Sequence, residues 1–436
     1  MSLQGKHVAI LGAGRSGRAA AALALREGAT VSIWDAAGAE AFAGMPEGVE
    51  THPGATEQIG HNVKSDLLVI SPGIDTYGPY VAAFAANAGE IIGEVELAAR
   101  FYQGRIVAIT GTNGKTTTTE LVARILSHAG LDGWACGNYG VPFAEVVLNA
   151  NPPATVSLEL SSFQLETIRT LHPVVSIWLN FAPDHMDRYP TVEAYRTAKL
   201  RIFENQTATD TAVVRSGETL PGIAPRTVLF STTDPSSAWF SDGHLIHHAG
   251  EVVVDLDRDT GLRGLHNAEN TMAAMAACAA LGISTHMMRE SLHGYAPPPH
   301  RCELIRTLDG VEYLNDSKAT NLHALESALR SQTRPVVLIA GGKEKGLDYT
   351  PVIPLLREKA LAAVTFGQIA RPLAGLFSQA VPCQSVSTLA DAVNAARELA
   401  PRGSTVLLSP GTSSFDQFSG YEQRGNAFRD LVHQLH

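Results

Sequence analysis

Cysteine is scarce: the 436 residues hold four, Cys136, Cys278, Cys302 and Cys383, far apart in the chain. No CxxC pair or Cys/His zinc spacing occurs, and a chain of this length does not need disulfide staples. Reduced, buried thiols are expected. Charged residues make up only 17%, and the basic side is the poorer one, with 33 Lys and Arg against 43 Asp and Glu and a net charge of -10. That balance excludes a broad nucleic-acid footprint and leaves room for a local basic pocket that holds phosphates. No long hydrophobic run is present. The most apolar stretch, Met272–Ile283, is alanine-rich and far short of the ~20 residues that a membrane span needs. The opening Met-Ser-Leu-Gln-Gly-Lys lacks the apolar core of a signal peptide. The expectation is a cytoplasmic, monomeric enzyme or binding protein with no nucleic-acid or membrane partner.

What is present fits folded cores, with 45% hydrophobic residues. At ~150 residues per domain the length predicts about three domains. The first stretch alternates strand and helix. His7–Leu11 reads as a strand, an Ala/Leu-rich helix follows Gly17 to Glu27, Gly28 ends it, and Thr30–Trp34 and Asp66–Ile70 are further strands. This is the βαβ rhythm of a covered parallel sheet. A second unit opens at Arg105, with a strand to Thr110, a loop over Gly111–Thr117 and a helix over Thr118–His128. Strands are expected at Thr155–Leu158 and Val174–Leu179, and residues 205–265 are strand-rich in an order that pattern alone does not give. Asn267–Leu281 is a helix by propensity. The stiff Tyr295-Ala296-Pro297-Pro298-Pro299 marks a boundary. Strands then resume near Val311–Leu314 and Pro335–Ala340, and the chain ends in a helix. The reading is α/β with three domains, 1–93, 94–299 and 300–436. The first and last are Rossmann-like, and the middle one is a P-loop-type parallel sheet.

The strongest motif is Thr110-Gly111-Thr112-Asn113-Gly114-Lys115-Thr116-Thr117, set between a strand and a helix. Glycines let backbone N–H groups approach phosphate oxygens, and the helix N-terminus adds partial positive charge. Lys115 supplies a full charge to the phosphates, and the Thr116 hydroxyl is placed to ligate Mg²⁺. Ile109 stands where the general Walker pattern has its first glycine. Gly12-Ala13-Gly14-Arg15-Ser16-Gly17 has dinucleotide spacing, with Asp35 at the next strand end. The loop offers a diphosphate site and an acidic partner for a hydroxyl. A nicotinamide cofactor and a nucleotide-linked substrate meet that offer equally.

Two polar clusters follow strands of the middle unit, where open α/β sheets place ligands. One is Glu159-Leu160-Ser161-Ser162-Phe163-Gln164; the other is Asp184-His185-Met186-Asp187-Arg188-Tyr189. A carboxylate such as Glu159 can hold the Mg²⁺ of a nucleotide, and His185 can serve a second ion. By itself, Lys199 in the helix-like Tyr195-Arg196-Thr197-Ala198-Lys199 reads as a solvated lysine. In the last third, His300-Arg301, Asn315–Asn321, Gly341–Gly346 and Ser409–Phe418 are polar loops at strand ends. Together they can form a pocket for a small anion, with Lys318 and Lys345 as point charges.

Gly111–Thr117 resembles the ATP loop of the Mur ligases, the ATP-dependent amide-bond formers of peptidoglycan synthesis. Glu159–Glu166, Asp184–Tyr189, Tyr195–Lys199, Asn315–Asn321 and Ser414–Phe418 extend the resemblance over the whole chain in order. It implies an enzyme that adds D-glutamate to UDP-N-acetylmuramoyl-L-alanine through an acyl phosphate, using ATP and two Mg²⁺ ions. The resemblance resolves the first glycine loop in favour of the uridine nucleotide. It implies catalytic roles for Lys115, Glu159, His185 and Lys199, and metal contacts from Thr116, Glu159, His185 and Lys199. ATP would meet Gly111, Thr112, Asn113, Gly114, Lys115, Thr116, Thr117, Asn267, Asn270, Arg301 and Asp316. The uridine substrate would meet Gly14, Arg15, Ser16, Asp35, Ser71, Pro72, Gly73, Asn138, Ser161, Gln164 and His185. D-Glutamate would meet Lys318, Thr320, Lys345, Ser414, Phe415 and Tyr421.

The resemblance also implies a carbamylated Lys199. Two divalent ions ~4 Å apart repel by roughly 17 kcal/mol at an effective dielectric of ~20, so an anion between them is needed. A carbamate turns a cationic lysine into that anion. One departure from the family pattern lies after Asp35, where Ala36-Ala37 replace a Thr-Arg pair near the uracil. A folylpolyglutamate synthase shares the ATP loop. A nicotinamide oxidoreductase and a nucleotide-gated binding protein are the readings from other classes.

Overall fold

The computed structural model describes residues 2–186, 188–296 and 299–436. Asp187 of the second polar cluster and Pro297-Pro298 of the expected boundary lie outside them. The described strands form three sheets. The first runs β3-β2-β1-β4-β5, with β1 His7–Leu11, β2 Thr30–Asp35, β3 Val49–Pro53, β4 Leu67–Ile70 and β5 Ile91–Gly93. All its pairings are parallel. The chain leaves β1 for β2 on one side and returns to β4 on the other, so the sheet has its switch point at the end of β1, beside Gly12.

The second sheet holds β6 Arg105–Thr110, β7 Trp134–Gly137, β8 Thr155–Glu159, β9 Val175–Trp178, β10 Thr211–Arg215, β11 Arg226–Ser231, β12 Trp239–Ser241, β13 Leu245–His248 and β14 Glu251–Asp255. Its order is β14-β13-β12-β11-β10-β9-β6-β8-β7. Strand β6 pairs in parallel with β8 and β9, and its residues Val107, Ala108 and Ile109 are fully buried. Such apolar runs require cover on both faces, and the Lys115–His128 helix supplies part of it through Leu121, Val122 and Ile125. Toward its far edge the sheet thins and opens: Leu229 and Val252 are exposed, and β12 pairs antiparallel with β13.

The third sheet runs β15-β16-β20-β17-β18-β19, from β15 Glu303–Leu308, β16 Val311–Asn315, β17 Val336–Gly341, β18 Ala360–Phe366, β19 Cys383–Ser385 and β20 Thr405–Leu408. Strand β15 is antiparallel to β16, and the remaining pairings are parallel. Strands β16, β20 and β17 lie side by side, so the loops after Asn315, Leu408 and Gly341 leave from adjacent carboxyl ends.

The chain clusters into two compact units, residues 1–254 with 269–293, and residues 255–268 with 294–436. The first unit holds the first sheet and nearly all of the second, and buried acids tie these together. Glu96 accepts from Arg169 N, Thr170 N and Leu171 N at 2.9–3.1 Å. Glu94 Oε1 accepts from Ala144 N at 2.6 Å.

Most expected elements are present within a residue or two. One differs: Lys115–Thr117 is not loop, because the helix begins at Lys115. Gly114, at φ 84°, turns the chain in the left-handed region and lets the first helical turn follow at once. The strand-rich stretch contains β10 to β14. All four cysteines are free; Cys136 and Cys278 are buried as expected, but Cys302 and Cys383 are only half-buried. Among the described residues no helix is long and apolar enough to cross a membrane.

Candidate active site

The glycine loop after β6 is built around backbone groups. Gly111, at φ 153°, packs close to Leu179 and Asn180 at the end of β9. Asn180 clamps the loop, its Oδ1 accepting from Asn113 N at 2.9 Å and its Nδ2 donating to Asn113 O at 3.1 Å. A Cβ on Gly114 would collide with the Asn270 side-chain oxygen, so glycine is required there by both φ and space. Thr118 Oγ1 donates to Asn270 Oδ1 at 3.4 Å. Asn270 therefore stands against the loop. Asn267 donates to Arg263 O at 2.8 Å, one helical turn back. Thr112 is buried and bonds to Ala182 O and N at 3.0 Å, and Thr117 is buried beneath the first helical turn. Thr116 is half-buried.

Two lysines converge on one carbonyl. Lys115 Nζ donates to Gly111 O and Thr112 O, both at 2.9 Å, and Lys199 Nζ donates to Gly111 O at 2.9 Å. Lys199 is not a solvated lysine but is 2% exposed. Its helix, Val192–Leu200, is capped by Thr191, whose Oγ1 accepts from Ala194 N at 3.1 Å. Burial first, and then the charge of Lys115, push the Lys199 ammonium well below its ordinary range; Asp184 and Glu159 oppose that shift.

Glu159, at the end of β8, is 2% exposed. Its Oε1 accepts from Asn138 Nδ2 at 2.7 Å, while its Oε2 is buried and has no hydrogen-bond partner among the described residues. A buried carboxylate oxygen left over in this way suits a cation. His185 sits at φ 58°, half-exposed, with its ring 5.0 Å from Phe163 and 5.8 Å from Tyr195. Among the described residues no three His, Cys, Asp or Glu side chains cluster.

The first sheet ends in the second glycine loop. Gly12 has φ 98°, and a Cβ on Gly17 would strike Gly12 O, which explains the spacing. Asp35 is held by its own loop. Its Oδ2 accepts from Ala13 N and its Oδ1 from Ala37 N, each at 2.8 Å, so the carboxylate closes its own loop. Arg15 donates to Gly140 O at 3.3 Å, and Ser71 Oγ donates to Gly12 O at 3.4 Å. Ser71 and Pro72 line a small pocket together with Phe163, Gln164 and Glu94. Ser161 and Gln164 form a capping box on the Ser162–Leu165 helix.

Arg188, which the sequence did not single out, stacks 3.9 Å over Phe163 and donates to Pro72 O at 3.1 Å and Ile74 O at 2.8 Å. It links the loop that carries His185 to the loop after β4.

In the second unit the side chain missed by sequence reading is Arg424, fully buried in the Tyr421–Gln434 helix. It donates to Ser317 Oγ at 3.0 Å, Ser317 O at 2.8 Å and Thr412 O at 3.2 Å. Thr412 Oγ1, donating to Lys343 O at 2.6 Å, ties in the loop after β17, while the guanidinium itself fastens the loops after β16 and β20. Desolvation lowers its pKa to about 10. Asp316 is buried, with Ser409 Oγ at 2.9 Å and Cys302 N at 3.2 Å, and burial lifts its carboxyl to about 7. The charge of Arg301 acts on Asp316 and opposes that rise. Lys318 Nζ lies 3.9 Å over the Tyr421 ring. Ser414 is buried, Thr320 is half-buried, and Lys345 and Phe415 are exposed.

A glycine-rich loop at the end of the buried strand β6, backed by a buried lysine and a carboxylate with an orphan oxygen, defines a nucleotide-handling enzyme of the doubly wound α/β class. Family models extend this. Residues 6–93 match the Mur ligase MurD-like N-terminal domain, 109–278 the Mur ligase middle domain, and 300–411 the Mur ligase glutamate ligase domain. The chain belongs to the Mur ligase family. It is 40% identical, over all of both chains, to a protein of Myxococcus xanthus named UDP-N-acetylmuramoylalanine--D-glutamate ligase. A protein of the same name from Pelodictyon phaeoclathratiforme is 37% identical over 100% of this chain and 99% of that one. In fold, the chain is similar to the UDP-N-acetylmuramate-alanine ligase MurC of Thermotoga maritima, with TM-score 0.60, 18% identity, and 98% and 99% of the two chains covered. It is also similar to the MurF ligase of Thermotoga maritima solved with ADP, with TM-score 0.61, 17% identity, and 86% and 97% covered.

Proposed function

We propose that this chain joins D-glutamate to UDP-N-acetylmuramoyl-L-alanine with hydrolysis of ATP to ADP and phosphate, a step of peptidoglycan precursor synthesis. The observation that carries the reading is the Lys115, Lys199 and Glu159 constellation around the Gly111 loop, in a chain 40% identical along its whole length to a ligase named for that reaction. A carboxylate is a poor electrophile. In the reaction it takes the γ-phosphoryl group of ATP, the D-glutamate amine attacks the acyl phosphate, and phosphate departs to leave the amide. The chain's contribution is orientation and charge neutralisation.

Residues 1–93 would hold the uridine nucleotide, 94–299 the ATP and 300–436 the amino acid. Lys115 and the N–H groups of the loop receive the phosphates. Thr116, Glu159, His185 and a carbamate on Lys199 would hold two Mg²⁺ ions, and the orphan Oε2 of Glu159 fits that use. Bound there, the ions would neutralise the phosphoryl and carboxylate oxygens. A lysine with a depressed pKa presents the free amine that carbon dioxide requires, and Lys199 is such a lysine. Arg424 sets the loops from which Lys318, Lys345, Ser414 and Tyr421 would meet D-glutamate. The enzyme would act as a monomer in the cytoplasm.

The test is phosphate release by the purified chain with ATP, Mg²⁺ and UDP-N-acetylmuramoyl-L-alanine. Turnover that depends on D-glutamate, and not on L-alanine or a diamino acid, is expected. Turnover driven only by another amino acid would overturn the assignment.

A further inference from the structure

The uridine site of this chain is poorer in polar groups than its motif promises. Both oxygens of Asp35 are engaged by the loop's own backbone, at Ala13 N and Ala37 N. The next two side chains, Ala36 and Ala37, carry no polar atom. An apolar and aromatic cluster lies under the carboxyl ends of β1, β2 and β4. Trp34 packs on Phe84 with centroids 5.5 Å apart, and Phe84 packs on Tyr80 at 5.2 Å. Ile74 joins the same cluster and comes within 3.2 Å of where a Cβ on Gly12 would be. The cluster therefore reaches the glycine loop itself.

Tyr80 is the one member with a hydroxyl. Its Oη is buried and has no hydrogen-bond partner among the described residues. Asp35 lies near enough to act on it electrostatically. Buried hydroxyls are nearly always paired, so one left over beside a ligand loop calls for a partner that arrives with the ligand. A ring with a polar tip also suits a planar base, offering a face to pack on and a donor for its edge.

We propose that Tyr80 is a specificity residue for the pyrimidine base of the uridine substrate. Its Oη donates to a carbonyl oxygen of the base, supplying the polar contact that Ala36 and Ala37 cannot. The inference rests on the functional reading above in taking the ligand to be a uridine diphosphate conjugate.

The experiment uses the full chain and its Tyr80→Phe variant, which keeps the ring and removes only the donor. With ATP and D-glutamate saturating, KM for UDP-N-acetylmuramoyl-L-alanine should rise threefold to tenfold while kcat stays within twofold. KM for ATP should not move, and calorimetric titration with UDP alone should weaken by a similar factor. An unchanged KM for the uridine substrate, or a rise shared equally by ATP, overturns the proposal. A variant that unfolds also overturns it, because the hydroxyl would then have a partner inside the protein. If the wild type shows no D-glutamate-dependent turnover, the functional reading fails instead, and the UDP titration still decides the role of Tyr80.

Discussion

Two buried basic side chains among the described residues, Arg424 and Lys199, are treated in opposite ways. Arg424 is fully enclosed, yet its guanidinium is satisfied by Ser317 and Thr412, so its surroundings are complete without a guest. Lys199 is enclosed to 2% exposure beside a second lysine and donates to the Gly111 carbonyl, and the neighbouring Glu159 has one oxygen with no hydrogen-bond partner among the described residues. The first arrangement is a brace that holds three loops in register. The second gathers two lysines and an orphan carboxylate oxygen around one loop carbonyl. The same physics, desolvation of a basic group, is met by hydrogen bonds in one place and by a lowered pKa in the other.

Substitutions can break this comparison. The largest effect is expected at Lys199. Lys199→Ala should lower kcat by at least about 100-fold, the scale of losing a group that stabilises transition-state charge. High acetate or bicarbonate should restore part of the rate by supplying a carboxylate; full activity without an added anion would contradict the role. Arg424→Met should instead be felt in folding. It strands the carbonyls of Ser317 and Thr412, for a loss of about 3 kcal/mol in urea unfolding. A variant as stable as the wild type would show that the brace is not one.

A third, smaller effect concerns Glu94, where the two sheets of the first unit meet. Burial raises its carboxyl from 4.5 to about 7. Its proton is thus held more tightly in the folded chain than in the unfolded one. The folded state keeps the advantage of the acid form below about 4.5 and loses it as pH rises through about 7. Glu94→Gln keeps the acceptor for Ala144 N and removes the charge. It should match the wild type near pH 4.5 and exceed it by about 3 kcal/mol at pH 8. Equal unfolding midpoints at both pH values would show that the buried carboxylate carries no such cost.

Sequence legibility followed the range of the interactions. The Gly111 loop, the Asp316 and Ser414 loops and the main buried strands were readable because spacing and local apolar runs specify them. The fate of Asp35 was not, since its partners are backbone N–H groups whose positions depend on the turn. Lys199 looked like a surface residue by composition, and only the family resemblance marked it, because its burial arises from loops brought in after β6 and β9. Arg424 gave no signal at all: a helical arginine is ordinary until β16, β17 and β20 bring their loops around it. The order of β10 to β14 was equally hidden, as pairing of short strands is settled by the sheet they join.

The most direct test of the account is the chemical state of Lys199 in the active enzyme. Wild-type protein equilibrated with ¹³C-bicarbonate should show a carbamate carbon resonance that is missing from Lys199→Ala. An active wild-type enzyme without that resonance would contradict the claim that this buried amine is finished by carbon dioxide.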